Sequence, residues 1–255
     1  MLGFPIVWAM MSGCIACLML EPNLVLTIVP QKVFLGLNNF AFLAIPCFLL
    51  CGDIMARGGL SRRLCDFCNA LVGWLKGGLS IVAIIACAIF AAISGSAVAT
   101  TAAIGGIMHP EMVKRGYSSP YSAALPAVAG TLGIIIPPSI VFVIYGNITG
   151  TSISQLLMAG VVPGVLCAAA LCVLAYIIAR RRSYEVDQMF SWRGLGQSFL
   201  RSVFALLMPL IILAVYTQAS ARPRSPRPSP ASMVPSVCFV AYHDLTFKSF
   251  CKVLE

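Results

Sequence analysis

The feature that most constrains this chain is the length of the segments that carry no charged residue. Asp, Glu, Lys and Arg are all absent from residues 1–20, 33–52, 77–108, 116–179 and 202–221. A helix needs about 20 apolar residues to cross a bilayer, so each segment is long enough or nearly so. Charged residues make up 10% of the chain, against about 25% in a soluble domain. We therefore predict an all-α membrane protein, a multi-span helical bundle.

The charges and cysteines exclude several classes of function. The formal net charge is +9, but the basic residues stand at the ends of apolar runs, where they set membrane topology. Nucleic-acid binding needs clustered Lys and Arg on a soluble face, so we predict no nucleic-acid partner. The sequence offers no nucleophile–base pair, phosphate loop or metal-ligand cluster, which argues against an enzyme and against a cofactor. The eleven cysteines are expected to act as small apolar side chains.

The first part of the chain is predicted to hold two spans and one surface helix. Residues 1–20 form the first span, 21–32 a loop and 40–55 the second span. Asp53 is either an intramembrane functional acid or half of an ion pair with Arg57. Residues 61–76 then predict an amphipathic helix at the membrane interface, which Ser61 could cap. Its charged side carries Arg62, Arg63 and Asp66, and its apolar side carries Leu64, Phe67, Leu71 and Trp74.

Residues 77–108 predict a re-entrant helical hairpin. Lys76 precedes this segment and Lys114-Arg115 follow it, so both ends should lie on the cytoplasmic side. The segment is too long for one span and too short for two. Its middle, Ser94-Gly95-Ser96, is a small polar break, and two half-helices of about 15 residues would each reach only about 22 Å.

Residues 116–179 also begin and end beside basic residues, so the chain should cross the membrane an even number of times there. Two crossings fit the length, about 121–145 and 153–178, with an external turn at 146–150. The first is interrupted at Gly130-Thr131-Leu132-Gly133 and again at Pro137-Pro138, which makes it a broken helix. A polar segment over 183–198 and a further span over 200–216 follow.

The two helix breaks are the candidate ion and substrate site. Inside a bilayer every freed N–H and C=O must find a partner, so a break is tolerated beside a cavity, another segment or a ligand. Freed carbonyls and hydroxyls suit Na⁺, and helix N-termini attract a carboxylate. Close helix packing through small residues is the alternative explanation. The candidates are Ser94, Gly95, Ser96, Thr100, Thr101, Gly130, Thr131, Pro137, Pro138 and Ser139. His109 and Glu111, beside Pro110, are predicted to be surface groups.

Several strings of residues resemble one transporter family. They are Leu43-Ala44-Ile45-Pro46-Cys47-Phe48, Ile93-Ser94-Gly95-Ser96-Ala97, and Gly133-Ile134-Ile135-Ile136-Pro137-Pro138-Ser139. Together they resemble the N-terminal half of the large membrane (permease) subunit of TRAP (tripartite ATP-independent periplasmic) transporters. The resemblance covers roughly residues 1–216.

This resemblance implies Na⁺-coupled uptake of small organic anions, such as dicarboxylates or sialic acids, across the bacterial inner membrane by a multi-pass protein. It implies two protein partners, a small TRAP membrane subunit and a periplasmic solute-binding protein. The hairpin then resembles one of two inverted re-entrant hairpins, in one half of an inverted-repeat transporter. Na⁺ as coupling ion is expected at Ser94, Ser96 and Thr131.

The sequence departs from the family pattern in its length and after residue 216. The second inverted repeat is absent, so the chain looks truncated. Residues 217–238 are rich in Pro and Arg and predict a disordered, aberrant segment, while the short segment 239–255 looks family-like again. A frameshift that is later corrected, a polyproline ligand and a disordered tail are the alternatives for 217–238. The alternative function is a non-transporting membrane fragment or pseudogene product.

Overall fold

A computed structural model describes residues 5–20, 27–37, 59–75, 77–182, 184, 195–200 and 202–203. Within these ranges all the regular structure is helical, as predicted for an all-α membrane protein, and no strand occurs. The chain divides into two compact units, residues 1–43 and residues 44–255. The predicted second span over 40–55, with Asp53, and the segments from residue 204 onward lie outside the described residues.

The first unit contains helices α1 (Ile6–Leu20) and α2 (Ile28–Leu37). Within the predicted first span, the apolar helix begins directly after Pro5, whose carbonyl accepts hydrogen bonds from the N–H groups of Trp8 and Ala9. The predicted loop over 21–32 is wrong from Ile28 onward, because α2 includes Pro30 and Lys32. Pro30 lies in the first helical turn, where proline is tolerated because that N–H has no partner within the helix.

In the second unit, helix α3 (Leu60–Val72) is amphipathic, but its limits differ from the prediction. Gly59, at φ 73°, precedes the helix, and Ser61 lies inside it as a buried residue instead of capping it. The buried stripe holds Ser61, Leu64, Cys65, Phe67 and Cys68.

The two sides of α3 are confirmed only in part. Arg62, Arg63 and Asp66 are exposed and Leu64 and Phe67 are buried, as predicted. Leu71 and Trp74, however, are 39% and 47% exposed. Leu71 lies in the last turn of the helix, outside the buried stripe, and Trp74 lies beyond the end of the helix at Val72.

A helical hairpin follows, formed by α4 (Gly78–Ser94) and α5 (Ala97–Lys114), and the chain reverses at Gly95-Ser96. The second limb runs on through Pro110 to Lys114. Large side chains of both limbs are fully buried between them and α3, among them Phe90, Ile104 and Met108. The hairpin is therefore part of a packed core.

The broken helix consists of α6 (Ser119–Gly130), a 3-10 turn (Thr131–Ile134), an irregular stretch over 135–139 and α7 (Ile140–Thr149). Helix α8 (Ile153–Arg181) follows. Among the described helices, α8 alone is both long enough and apolar enough to cross a bilayer, judged by length and composition. Shorter apolar helices occupy Val7–Leu20, Gly78–Ser94 and Ile140–Thr149.

Both ends of the hairpin lie at the same end of this unit. Near its start, the Ser80 hydroxyl accepts a hydrogen bond from Tyr121 at 3.3 Å. Just beyond its last residue, Ser118 accepts one from Arg182, at the end of α8, at 3.0 Å. Four helix ends therefore converge at one end of this unit: the start of α4, the end of α5, the start of α6 and the end of α8.

Candidate functional site

The two helix breaks predicted from the sequence lie against each other. The hairpin tip, residues 94–97, contacts the broken segment, residues 130–139. The carbonyl of Gly95 accepts a hydrogen bond from the backbone N–H of Ile140 at 3.3 Å. Each break thus supplies a partner for the backbone groups of the other, which is one of the conditions under which breaks are tolerated in a membrane.

Glycines make this close approach possible. Gly95 has φ 61°, and a Cβ on it would stand 2.8 Å from the carbonyl oxygen of Pro138. A Cβ on Gly133 would stand 2.7 Å from the carbonyl of Ser96, and one on Gly130 would overlap the Thr101 hydroxyl. The two breaks therefore meet backbone to backbone, with no space for a side chain between them.

Gly133 is a contact residue that the sequence-based list of candidates missed. It lies three residues after Gly130, and both glycines face the hairpin tip. The Gly-x-x-Gly spacing beside a proline pair is the signal that could have identified it, because small residues mark places where helices approach closely.

The hairpin tip is held by hydroxyl groups. Ser94 and Thr100 are buried, and their hydroxyl oxygens are 3.0 Å apart. The Thr100 hydroxyl also donates to the Ser96 carbonyl at 2.7 Å. The Ser96 hydroxyl accepts from the Ala99 N–H at 3.4 Å, which caps the first turn of α5. These bonds fix the positions of the oxygen atoms at the tip.

The end of the broken segment is buried and held by a hydroxyl hydrogen bond, whereas Thr131, at its start, is exposed. Pro137, Pro138 and Ser139 are buried, the two prolines are joined by a cis peptide, and the Ser139 hydroxyl donates to the Ile134 carbonyl at 2.9 Å. Thr131 is exposed, and its hydroxyl donates to the Val128 carbonyl at 2.7 Å. The predicted candidates therefore form one group, apart from the Thr131 hydroxyl, which is engaged within its own helix end.

The chemistry of this site comes from the backbone. None of the ten candidate residues is charged. Helices α5 and α7 both begin here, at Ala97 and Ile140, and helix N-termini carry a partial positive charge that attracts anions. Helix α4 ends here, at Ser94, and presents carbonyl oxygens suited to a hard cation. Helix N-termini therefore favour a small anion here, and helix C-terminal carbonyls favour a monovalent cation.

The other polar groups in the described residues form neither a metal site nor a reactive thiol site around Cys65. No group of three or more His, Cys, Asp or Glu side chains in these ranges could hold a metal ion. Burial, with a smaller effect of Asp66, raises the pKa of Cys65 to about 12, so this thiol stays protonated and unreactive. Glu111 pairs with Arg115 at 2.9 Å near the surface.

A family model and several curated relatives assign the chain to the same protein family. A family model described as "Tripartite ATP-independent periplasmic transporter, DctM component" matches residues 1–255, and so extends past residue 216. The C4-dicarboxylate TRAP transporter large permease protein DctM of Pseudomonas aeruginosa is 40% identical over 244 residues, which cover 96% of this chain and 57% of that protein.

Two further relatives carry other substrate names. The 2,3-diketo-L-gulonate TRAP transporter large permease protein YiaN of Escherichia coli is 37% identical, over 99% of this chain and 60% of that protein. The isethionate TRAP transporter permease protein DctMQ of Oleidesulfovibrio alaskensis is 39% identical, over 83% of this chain and 33% of that protein. The chain spans about half the length of the curated relatives that it matches.

Proposed function

Because the chain belongs to the DctM family of tripartite ATP-independent periplasmic transporters, we propose that it works in the large permease subunit of a secondary transporter for small organic anions. The relatives are named for C4-dicarboxylates, 2,3-diketo-L-gulonate and isethionate, which are small organic acids or their anions. This chain covers about half the length of its relatives. The transport cycle is therefore proposed for the complete permease and not for this chain alone.

The observation that carries this proposal is the meeting of the two helix breaks. An enzyme for these anions would need a reactive side chain, whereas a carrier needs only a reversible site within the membrane. Two helix N-termini beside uncharged hydroxyls and carbonyls give such a site. Discontinuous helices of this kind hold substrate and coupling ions in secondary transporters.

We propose Na⁺ as the coupling ion, held by oxygen atoms of the hairpin tip. The Ser94 and Ser96 hydroxyls are fixed there by the contacts with Thr100 and Ala99. The Thr131 hydroxyl, the third group that we assign to the ion, donates its hydrogen to the Val128 carbonyl, so its oxygen lone pairs remain available to a cation.

We propose a multi-pass position in the bacterial inner membrane, with the convergent end of the helices in the cytoplasm. Lys114 and Arg115 end α5, and Arg180, Arg181 and Arg182 end α8, so the basic residues lie where the hairpin begins and ends. Positive residues mark cytoplasmic loops. The turn at Gly150, between α7 and α8, then lies on the periplasmic side.

We propose three kinds of partner: a small TRAP membrane subunit, a periplasmic solute-binding protein that delivers the anion, and the lipid bilayer. The first two are supported by the description of the family as tripartite and periplasmic. The third is supported by α8, which exposes apolar side chains such as Val162, Val165 and Leu166 along its length.

Replacing Ser96 by alanine is expected to raise the Na⁺ concentration that gives half-maximal uptake by about fivefold, since a lost oxygen ligand costs about 1 kcal/mol. The measurement is uptake by the complete transporter, reconstituted with its small subunit and binding protein, across a range of inward Na⁺ gradients. Ser96→Thr keeps the hydroxyl and should retain most of the affinity for Na⁺.

Ser152→Ala provides the matched control, because Ser152 also precedes a helix but is exposed and remote in sequence from the breaks. Uptake by the unmodified transporter that needs no Na⁺ would refute Na⁺ coupling. Na⁺ activation that is the same in Ser96→Ala and the unmodified transporter would refute the assignment of Ser96.

A further inference from the structure

Three tyrosines stack at the end of the helices that lies away from the two breaks. The rings of Tyr117 and Tyr184 are nearly parallel, with their centres 4.0 Å apart. The ring of Tyr121 stands 6.3 Å from each of them. We call these three residues the tyrosine clamp. It joins the chain just after the hairpin, the first turn of α6 and the chain just after α8.

Polar contacts also tie the clamp to the start of the hairpin and to the end of α8. Tyr121 donates to Ser80 in the first turn of α4, and Arg182 donates to Ser118. The Arg182 guanidinium also lies 5.9 Å from the centre of the Tyr121 ring. Burial acts to raise the pKa of Tyr184, but hydrogen bonds with Arg182 and Ser118 outweigh it and lower the pKa. The Tyr184 hydroxyl thus belongs to this network.

Beneath the clamp, the base of the hairpin is packed tightly against α8. Gly77 lies so close to Ala179 that a Cβ on Gly77 would overlap the Ala179 methyl group. Ala175 and Ala179 are each 1% exposed, and Tyr117 is 6% exposed. Opening this joint would leave voids in a close-packed region, which folded proteins rarely tolerate. The base of the hairpin and the end of α8 are therefore closely packed against each other in this structure.

We propose that the tyrosine clamp keeps the hairpin base fixed to the end of α8 throughout the transport cycle, so that it positions the break site from a helix length away. The inference rests on the proposed function. The clamp and the site are separated by α6, whose 12 residues span about 18 Å. Tyr117 and Tyr184 act as positioning residues, since their rings contact each other and Tyr121 a helix length away from the tip.

The test is the double variant Tyr117→Cys/Tyr184→Cys in the complete transporter, studied before and after the two cysteines are joined by a short bifunctional thiol reagent. Before linking, uptake should fall at least about threefold, because the stacked pair is lost. After linking, uptake should return towards that of the unmodified transporter. Arrest of uptake by the link, or full uptake before linking, would overturn the proposal.

Two controls and one independent measurement complete the test. The unmodified protein receives the same reagent, because the chain has its own cysteines, and Tyr145→Cys changes an exposed tyrosine outside the clamp. Amide hydrogen exchange of the purified transporter needs no substrate. In the double variant it should speed up at 78–82 and 179–182 and stay unchanged at 94–97. Unchanged exchange at the base would overturn the clamp, whereas an unmodified transporter without uptake would refute only the proposed function.

Discussion

Replacing Gly133 by alanine is expected to abolish most uptake and to lower the thermal unfolding midpoint of the purified transporter by several degrees. The added methyl group would stand 2.7–2.8 Å from the backbone of Ser96 and Ala97, which cannot move without opening the hairpin tip. Overpacking of this kind costs about 1–3 kcal/mol. Because the cost falls on the contact between the two breaks, ion and anion binding should weaken together.

Gly106→Ala is the matched control for this substitution. Gly106 lies in α5, and a methyl group there would meet nothing within 4 Å. Alanine is also the better helix former by about 1 kcal/mol. Unfolding midpoints and uptake are measured side by side for both variants. If Gly133→Ala behaves like Gly106→Ala, the two breaks do not touch as described.

Gly95→Ala is expected to have a comparable effect for two separable reasons. Alanine at φ 61° is strained by about 1–2 kcal/mol, and its methyl group would stand 2.8 Å from the Pro138 carbonyl oxygen. Gly150→Ala shares only the first cost, since Gly150 has φ 71° and open space around it. The difference between the two variants therefore measures the close approach of the hairpin tip to the broken segment.

We expect this difference to be about 1–3 kcal/mol in unfolding free energy, with loss of uptake only in Gly95→Ala. Unfolding of the purified transporter by denaturant gives the first quantity and reconstituted uptake the second. Equal destabilisation by the two substitutions would mean that the glycine at position 95 serves only the turn and not the contact with Pro138.

The sequence was sufficient to locate both helix breaks, and the reason is chemical. Ser94-Gly95-Ser96 interrupts an apolar run that is otherwise rich in helix formers, and Pro137-Pro138 cannot continue a helix. Lys and Arg at the ends of the runs then indicated that the hairpin returns to the side from which it entered. The same strings carried the resemblance to the TRAP family, which the family match confirms.

The contact between the breaks could not be predicted in this way, because it joins residues about 40 positions apart that share no pattern. The role of Gly133 and the exposure of Thr131 depend on which side of the broken segment faces the tip. Local rules also failed at Pro30, where a proline marked the first turn of a helix and not a loop. The predicted apolar side of α3 also failed at Leu71 and Trp74, which are exposed near the end of the helix and beyond it.

The identity of the anion does not follow from these residues either, and for a physical reason. The candidate site contains no charged side chain, so its attraction for an anion comes from helix N-termini that suit any small carboxylate. Discrimination among C4-dicarboxylates and related acids must therefore come from side chains beyond the ten candidates.

The membrane sidedness of the hairpin decides whether its tip can form the proposed site. Single cysteines at positions 74, 114 and 151, in a cysteine-free form of the complete transporter, are exposed to a membrane-impermeant maleimide. Trp74 and Lys114 flank the hairpin and Thr151 lies in the turn before α8; all three are exposed. We predict labelling at 74 and 114 only in inside-out vesicles, and at 151 only in right-side-out spheroplasts. Labelling of 74 and 114 from opposite faces would contradict a re-entrant hairpin and, with it, the site proposed at its tip.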